Sequence, residues 1–255
     1  PEANWQALLA CAARGIQIVP ATGRTVRGIP DRIRTLPGVR YAITTNGAVV
    51  ADLKEDRIIS TCRIPVDTAL RVLEMARDSG DDIMYDAYMD GIGCTTQYFY
   101  DHAERYAVSA GVAALIRKTR RVVPDNIRYV KEMGKEIDKI NMFFTDMEAR
   151  KRMRVSLGQI PGILVTSSIP NNLEINAAGA DKGSALLRLA EFLGIGREET
   201  MAFGDGENDL SMLRAAGLGV AMENGEEQVK QASDFVTVSN NDAGVASAIR
   251  KFVLE

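Results

Sequence analysis

The chain predicts an α/β fold: a parallel sheet with helices on both faces and an α+β unit inserted into it. Three observations lead there. Apolar strand-like runs alternate with helical ones in the first third of the chain, the same rhythm returns in the last quarter, and the stretch between pairs its strands directly. Strands that alternate with helices join in parallel, whereas strands adjacent in sequence pair antiparallel. The 255 residues suffice for one large domain or two modest ones. The division falls as residues 1–61 with 178–255 for the sheet-and-helix core and 62–177 for the inserted unit.

Trp5, Leu8, Leu9 and Ala12 recur at i, i+3, i+4 and i+7, an apolar helical face that Gly15 ends and that places Trp5 in a core. Ile16–Pro20 is a short strand, followed by the turn 21–24. Thr25–Thr35 is a short helix, and Arg40–Thr44 a strand running into Thr45-Asn46-Gly47-Ala48. In the last quarter, Lys182–Leu193 is a helix, Thr200–Phe203 a strand and Leu210–Ala216 a helix. Gly219–Met222 is a strand, Glu226–Ala232 a helix, Phe235–Val238 a strand, and Ala243–Phe252 a helix capped by Asn241 and Asp242.

The middle holds a helix, Val66–Asp78, and two strands, Asp82–Ala87 and Gly91–Thr95. A helix-leaning stretch, Tyr98–Met133, follows. Then come a strand (Ile137–Phe144), a helix (Met147–Leu157) and the strands Ile163–Ser168 and Asn172–Ile175. The basic cluster at 117–121 reads as a solvated helix face. Tyr85 to Asp90 mixes aromatic and acidic groups in a hairpin, which suits either plain packing or a grip on a polar group.

Composition excludes several classes. A hydrophobic share of 46% and a charged share of 25% are ordinary globular values, and a net charge of -3 argues against nucleic-acid binding through bulk charge. No apolar run reaches the length of a membrane span, and no signal peptide is recognised. Cys11, Cys62 and Cys94 are odd in number and widely spaced, so they read as thiols of a reducing cytosol rather than as disulfide or zinc ligands. His102, the one histidine, reads as surface or packing.

Chemistry concentrates at Gly204-Asp205-Gly206-Glu207-Asn208-Asp209. An apolar strand ends there in a glycine-flanked acidic turn that opens a helix, the place where open α/β sheets bind ligands. Free N–H groups at a helix start favour anions, and hard carboxylate oxygens suit Mg²⁺ together with a substrate phosphate. The EF-hand calcium spacing is missing. Thr22 and Asn46 follow two other strands, and Lys182 opens a helix after Gly179-Ala180-Asp181. In a parallel sheet the strand-following groups share one edge within reach of Lys182. A hydroxyl, a lysine and carboxylate-bound Mg²⁺ can together neutralise a phosphoryl group.

Ala21-Thr22-Gly23-Arg24, Thr45-Asn46-Gly47-Ala48, Asp181-Lys182-Gly183-Ser184 and the acidic turn occur in an order that resembles the haloacid dehalogenase superfamily of phosphohydrolases, in its Cof-like sugar-phosphatase branch (subclass IIB). The resemblance extends to Val165–Ser168, Asn172–Ile175, Gly217–Met222 and Ala232–Thr237. It implies a Rossmann-like core with a mobile inserted α/β cap, and phosphoryl transfer through an aspartyl-phosphate intermediate with bound Mg²⁺. It gives Thr22, Gly23, Asn46, Lys182 and Asn208 to phosphate or substrate, Asp205 to the metal and Asp209 to its support. Thr22, Lys182 and Asp205 are then the catalytic set, and the partner is a small phosphorylated metabolite.

The family's nucleophile sits in an Asp-x-Asp-Gly-Thr motif on a first strand, and no segment here matches it. The expectation is that the natural protein carries that strand ahead of Pro1. A phosphatase is the leading reading; a phosphomutase and a phosphometabolite-binding pseudo-phosphatase are the alternatives.

Overall fold

The structure, a computed structural model, describes residues 1–255. The chain divides into two compact units, residues 1–61 with 181–255, and residues 62–180.

The first unit opens with α1 (Glu2–Ala13). Trp5 is only half-buried and lies under the Arg32 guanidinium at 4.2 Å, and the residues α1 buries are Ala7 and Cys11, outside the Trp5–Leu8–Leu9–Ala12 stripe. Residues 16–22 run extended without forming a full strand. Ile18 N donates to Gly38 O at 2.9 Å, and Ala21 makes a parallel bridge to Ile43. The segment therefore bonds along one side only, and Pro20 has no N–H to offer. The helix expected over 25–35 is interrupted at Pro30, which leaves a 3₁₀ turn at Val26–Gly28 and the single turn α2 (Asp31–Arg34). Next come β1 (Tyr41–Thr44), β2 (Val49–Asp52) and β3 (Arg57–Thr61), an antiparallel sheet in that order. The sequence reading had no hairpin there. Its turn is held by Asp52, whose Oδ1 accepts from Lys54 N and Glu55 N, both at 3.1 Å.

The middle unit comprises α3 (Val66–Asp78), β4 (Ile83–Met89), β5 (Ile92–Thr96), α4 (Gln97–Asp101), α5 (Ala103–Tyr106), α6 (Ala110–Thr119) and β6 (Arg120–Val123). It continues with α7 (Asn126–Met133), β7 (Lys139–Phe144), α8 (Met147–Leu157), β8 (Ile163–Thr166) and β9 (Asn172–Ala177). Its six strands lie in the order β6-β5-β4-β7-β9-β8, antiparallel except for the β5–β6 pair. One face presents Ala87, Ile140, Met142, Leu173 and Ile175, all fully buried. On the other face Met84 and Phe143 pack with Ala103, Tyr106, Ala113 and Ile116 of α5 and α6.

The basic cluster is not one solvated helix face. Arg117 and Lys118 end α6, while Arg120 starts β6 and is buried against Asp86 at 2.9 Å. Charge counting without the buried carboxylate could not show this. His102 stacks on exposed Tyr98 at 4.4 Å. Burial pushes the Cys94 thiol up to about 11, which keeps it protonated and inert at neutral pH.

The first unit resumes with α9 (Lys182–Leu193), β10 (Met201–Gly204), α10 (Leu210–Ala215), β11 (Leu218–Met222), α11 (Glu227–Gln231), β12 (Phe235–Thr237) and α12 (Gly244–Ile249), the last running into a π turn. Strands β10, β11 and β12 form a parallel sheet in that order. Leu213, Ala216, Ala221 and Val229 pack with Ala202 in its core, while Ala246 and Ile249 meet α1. Asn241 and Asp242 do not cap α12; they lie in a 3₁₀ turn, and Asn4 Oδ1 accepts the Ala246 N–H at 2.9 Å instead. No helix is long and apolar enough to cross a membrane.

Candidate active site

Four loops of the first unit converge, and each is held by local chemistry. Thr22 N donates to Ile43 O at 2.9 Å, and Thr22 O accepts from Asn46 N at 3.1 Å. The Thr22 hydroxyl accepts from Arg24 N at 3.1 Å, a side-chain turn that carries the chain through Gly23.

Thr45 and Asn46 both adopt left-handed backbone, with φ of 55° and 59°, and both are buried. For a β-branched residue such as Thr45 this conformation is unusual and stores strain. The turn persists because its amides are taken by Thr22 O and, at 2.8 Å, by Arg24 O. Gly47 follows with φ of 100°, and a Cβ there would stand 2.2 Å from Asp181 O. Only glycine lets this turn rest on the start of α9, and Arg188 Nη2 fastens it by donating to Gly47 O at 3.0 Å.

Asp181 caps α9, accepting from Ser184 N at 2.8 Å and from the Ser184 hydroxyl at 2.6 Å. Burial pushes its carboxyl up, but these bonds outweigh that and hold it below the usual carboxylate range. Helix α9 approaches α10 so closely that a Cβ on Gly183 would lie 2.3 Å from Ser211 O. Lys182, in the first turn, thereby reaches Asp209: its ammonium donates to Oδ1 at 2.6 Å, with both side chains buried. Asp209 Oδ2 accepts from Asp205 N at 3.0 Å and Gly206 N at 3.2 Å. One carboxylate thus fixes both the lysine and the acidic turn.

Asp205 is exposed, and its Oδ2 accepts from Asn224 Nδ2 at 3.3 Å. Asn208 Nδ2 donates to Asn46 Oδ1 at 3.2 Å, which ties the acidic turn to the strained one. Hydrogen bonds thus join Lys182, Asp209 and Asp205 in one group and Asn208, Asn46 and Thr22 in another, and the two meet where Asn208 precedes Asp209 in the acidic turn. Gly23 lies next to Thr22.

Asn224, Asp181 and Arg188 were missed by the sequence reading. Asn224 follows β11 at the sheet edge where Asp205 follows β10, so topology alone points to it. Asp181 and Ser184 form a readable helix-capping pattern. Arg188 carries no such signal.

The donor set bears on Mg²⁺ directly. No three His, Cys, Asp or Glu side chains cluster as a metal cage. Mg²⁺ does not need one, since it is usually held by one or two carboxylates with water and substrate phosphate. Asp205 fits that role. Asp209 already serves Lys182 and two backbone amides, so it fits the support of Asp205's turn.

The first unit thus brings a buried lysine–carboxylate pair and a solvent-facing carboxylate to one strand–helix turn. The haloacid dehalogenase-like hydrolase family model matches residues 1–249, and the chain belongs to that family. It is 28% identical over 255 residues to a 5-amino-6-(5-phospho-D-ribitylamino)uracil phosphatase of Bacillus subtilis, covering 98% of this chain and 88% of that one. Another Bacillus subtilis phosphatase is 29% identical over 265 residues, covering 97% and 91%. A solved subclass IIB sugar phosphatase of the superfamily superposes with a TM-score of 0.81 at 25% identity, covering 100% of this chain and 92% of that one. A haloacid dehalogenase-like hydrolase from Bacteroides thetaiotaomicron gives 0.78 at 28% identity, covering 98% and 92%. The chain is a Cof-like member of this family and a phosphoric monoester hydrolase.

Proposed function

We propose that the protein is a cytoplasmic, Mg²⁺-dependent phosphatase of small phosphorylated metabolites, sugar and polyol phosphates foremost, acting through an aspartyl-phosphate. No residue of this chain is assigned as nucleophile or general acid. The observation that carries the reading is the Lys182–Asp209 contact at 2.6 Å, because the same carboxylate shapes the turn that presents Asp205. Relatives named for a phosphoribityl compound and for sugar phosphates support the substrate class.

Lys182 balances phosphoryl charge and holds the acidic turn in place. Thr22, Gly23, Asn46 and Asn208 line the phosphate, with Thr22 and Asn208 offering side-chain donors. Asp205 holds Mg²⁺, with Asp209 behind it. Bound Mg²⁺ supplies charge neutralisation for the phosphoryl oxygens. Residues 62–177 serve as the cap that selects the leaving group.

The test is inorganic phosphate release from a panel of sugar and polyol phosphates by the intact protein from its natural source, with and without Mg²⁺. Asp205→Asn is expected to abolish the Mg²⁺-dependent release, and unchanged turnover would sink the assignment.

A further inference from the structure

Three strands of the first unit's parallel sheet end side by side, and one side chain joins the loops that follow them. Gly204 of β10 pairs with Ala221 of β11, and Met222 of β11 with Thr237 of β12. Asp205 follows β10, Asn224 follows β11, and Asn240 opens the 3₁₀ turn Asn240–Asp242 after β12. Asn240 N donates to Asn224 Oδ1 at 2.8 Å, and Asn224 Nδ2 donates to Asp205 Oδ2 at 3.3 Å. These two partners fix which way the amide points. Turned over, it would set its NH₂ against the Asn240 N–H and its oxygen against a carboxylate.

The loop that carries Asn224 is also fitted to the Asp205 backbone. Gly225 N donates to Met222 O at 2.9 Å, and Glu226 N donates to Asp205 O at 3.1 Å. A Cβ on Gly225 would stand 2.9 Å from Met222 O and 3.2 Å from both Cα and O of Asp205. Asp209 Oδ2 accepts from Asp205 N at 3.0 Å, so the Asp205 backbone is held on both sides while its carboxylate is held by Asn224. Asn224 is exposed, so core packing does not account for this arrangement. The contact is also neutral: it fixes the carboxylate without cancelling its charge, as a lysine or arginine would.

We infer that Asn224 is a positioning residue: anchored by the Asn240 backbone, it orients the Asp205 carboxylate for a divalent cation and leaves its charge available. Carboxylates that ligate metals are themselves hydrogen-bonded, and loss of such a partner weakens metal binding. The inference rests on the reading that Asp205 holds the metal, and goes beyond it in assigning the group that aims this carboxylate.

The experiment is equilibrium binding of Mn²⁺ to the intact protein, read as free Mn²⁺ by electron paramagnetic resonance. The wild type is compared with Asn224→Ala, Asn240→Pro, their double variant and Asp205→Asn. Asn224→Ala should weaken Mn²⁺ binding by about five- to tenfold and leave the melting temperature within about 2 °C, a split that a merely structural role would not give. Asn240→Pro deletes the N–H that anchors Asn224. It does so at the first position of a turn, after an extended Ser239, where proline is tolerated. It should weaken Mn²⁺ binding by about two- to fivefold. The double variant should bind no worse than Asn224→Ala, because Asn240 acts through Asn224. Unchanged affinity in either single variant, or losses that multiply in the double variant, would overturn the inference while Asp205→Asn still loses Mn²⁺. Asp205→Asn binding as well as wild type, or a wild type that binds no Mn²⁺, marks instead the failure of the metal reading and takes the inference with it.

Discussion

Replacing Asp209 by Asn is the most informative single perturbation of the candidate site. Its carboxylate accepts from Lys182, Asp205 N and Gly206 N, at 2.6, 3.0 and 3.2 Å. An amide of the same shape must set its NH₂ against either the ammonium or the two backbone N–H groups, donor against donor. It also leaves the Lys182 charge, 6% exposed at the side chain, without its partner. Breaking a buried pair from one side costs about 3–5 kcal/mol. At ~2–4 °C per kcal/mol for a chain of this size, the melting temperature should fall by roughly 6–20 °C. The assay is thermal and urea unfolding of Asp209→Asn, Lys182→Met and the double variant. The double variant should be less destabilised than the sum of the singles, with a coupling of about 1–3 kcal/mol. A melting temperature within ~1 °C of wild type in Asp209→Asn, or strict additivity, would refute the reasoning that one carboxylate organises this corner.

Three further outcomes follow from the same geometry. Gly47→Ala forces a Cβ to 2.2 Å from Asp181 O at positive φ, so urea unfolding should show a loss of about 2–4 kcal/mol and phosphate binding should weaken. The Asp181 carboxyl is held below its ordinary range in the folded protein, so its contribution is present above the unfolded carboxylate range and is lost as pH falls through the folded value. Asp181→Asn, which can still cap α9, should flatten the acid limb of a melting-temperature profile below about pH 5, whereas Asp181→Ala should also cost about 1 kcal/mol at neutral pH. Arg120→Met leaves Asp86 buried and unpaired, at a cost of about 3–5 kcal/mol in urea unfolding, and adding Asp86→Leu should recover most of it.

Much of this fold was legible because burial and period agree. Helices α3, α8 and α9 carry clear apolar stripes and start at readable residues, and the β10–α10–β11 run is punctuated by glycines. The β2–β3 hairpin was not legible: its turn has no Asn-Gly or Asp-Gly signal and relies on Asp52 taking two backbone amides and, through Oδ2, Arg40 at 2.8 Å. Strand β6 was hidden because Arg120 looks like surface until Asp86 is seen opposite it. Ile16–Pro20 looked like a strand by composition, yet bonds along one side only. At the site, sequence position singled out Lys182, Asp205 and Asp209 but gave no sign that Asp209 is already occupied. Nor could it show that Thr45 and Asn46 are strained, because positive φ in non-glycine residues depends on what the turn is pressed against.

The central claim is that Asp205, Lys182 and their neighbours form one metal-and-phosphate site. The most direct measurement is Mn²⁺-induced broadening of the ³¹P resonance of inorganic phosphate in the presence of the protein, with Mn²⁺ standing in for Mg²⁺. The account expects protein-dependent broadening that is lost in Asp205→Asn while the fold remains intact. Broadening unchanged in Asp205→Asn would contradict it.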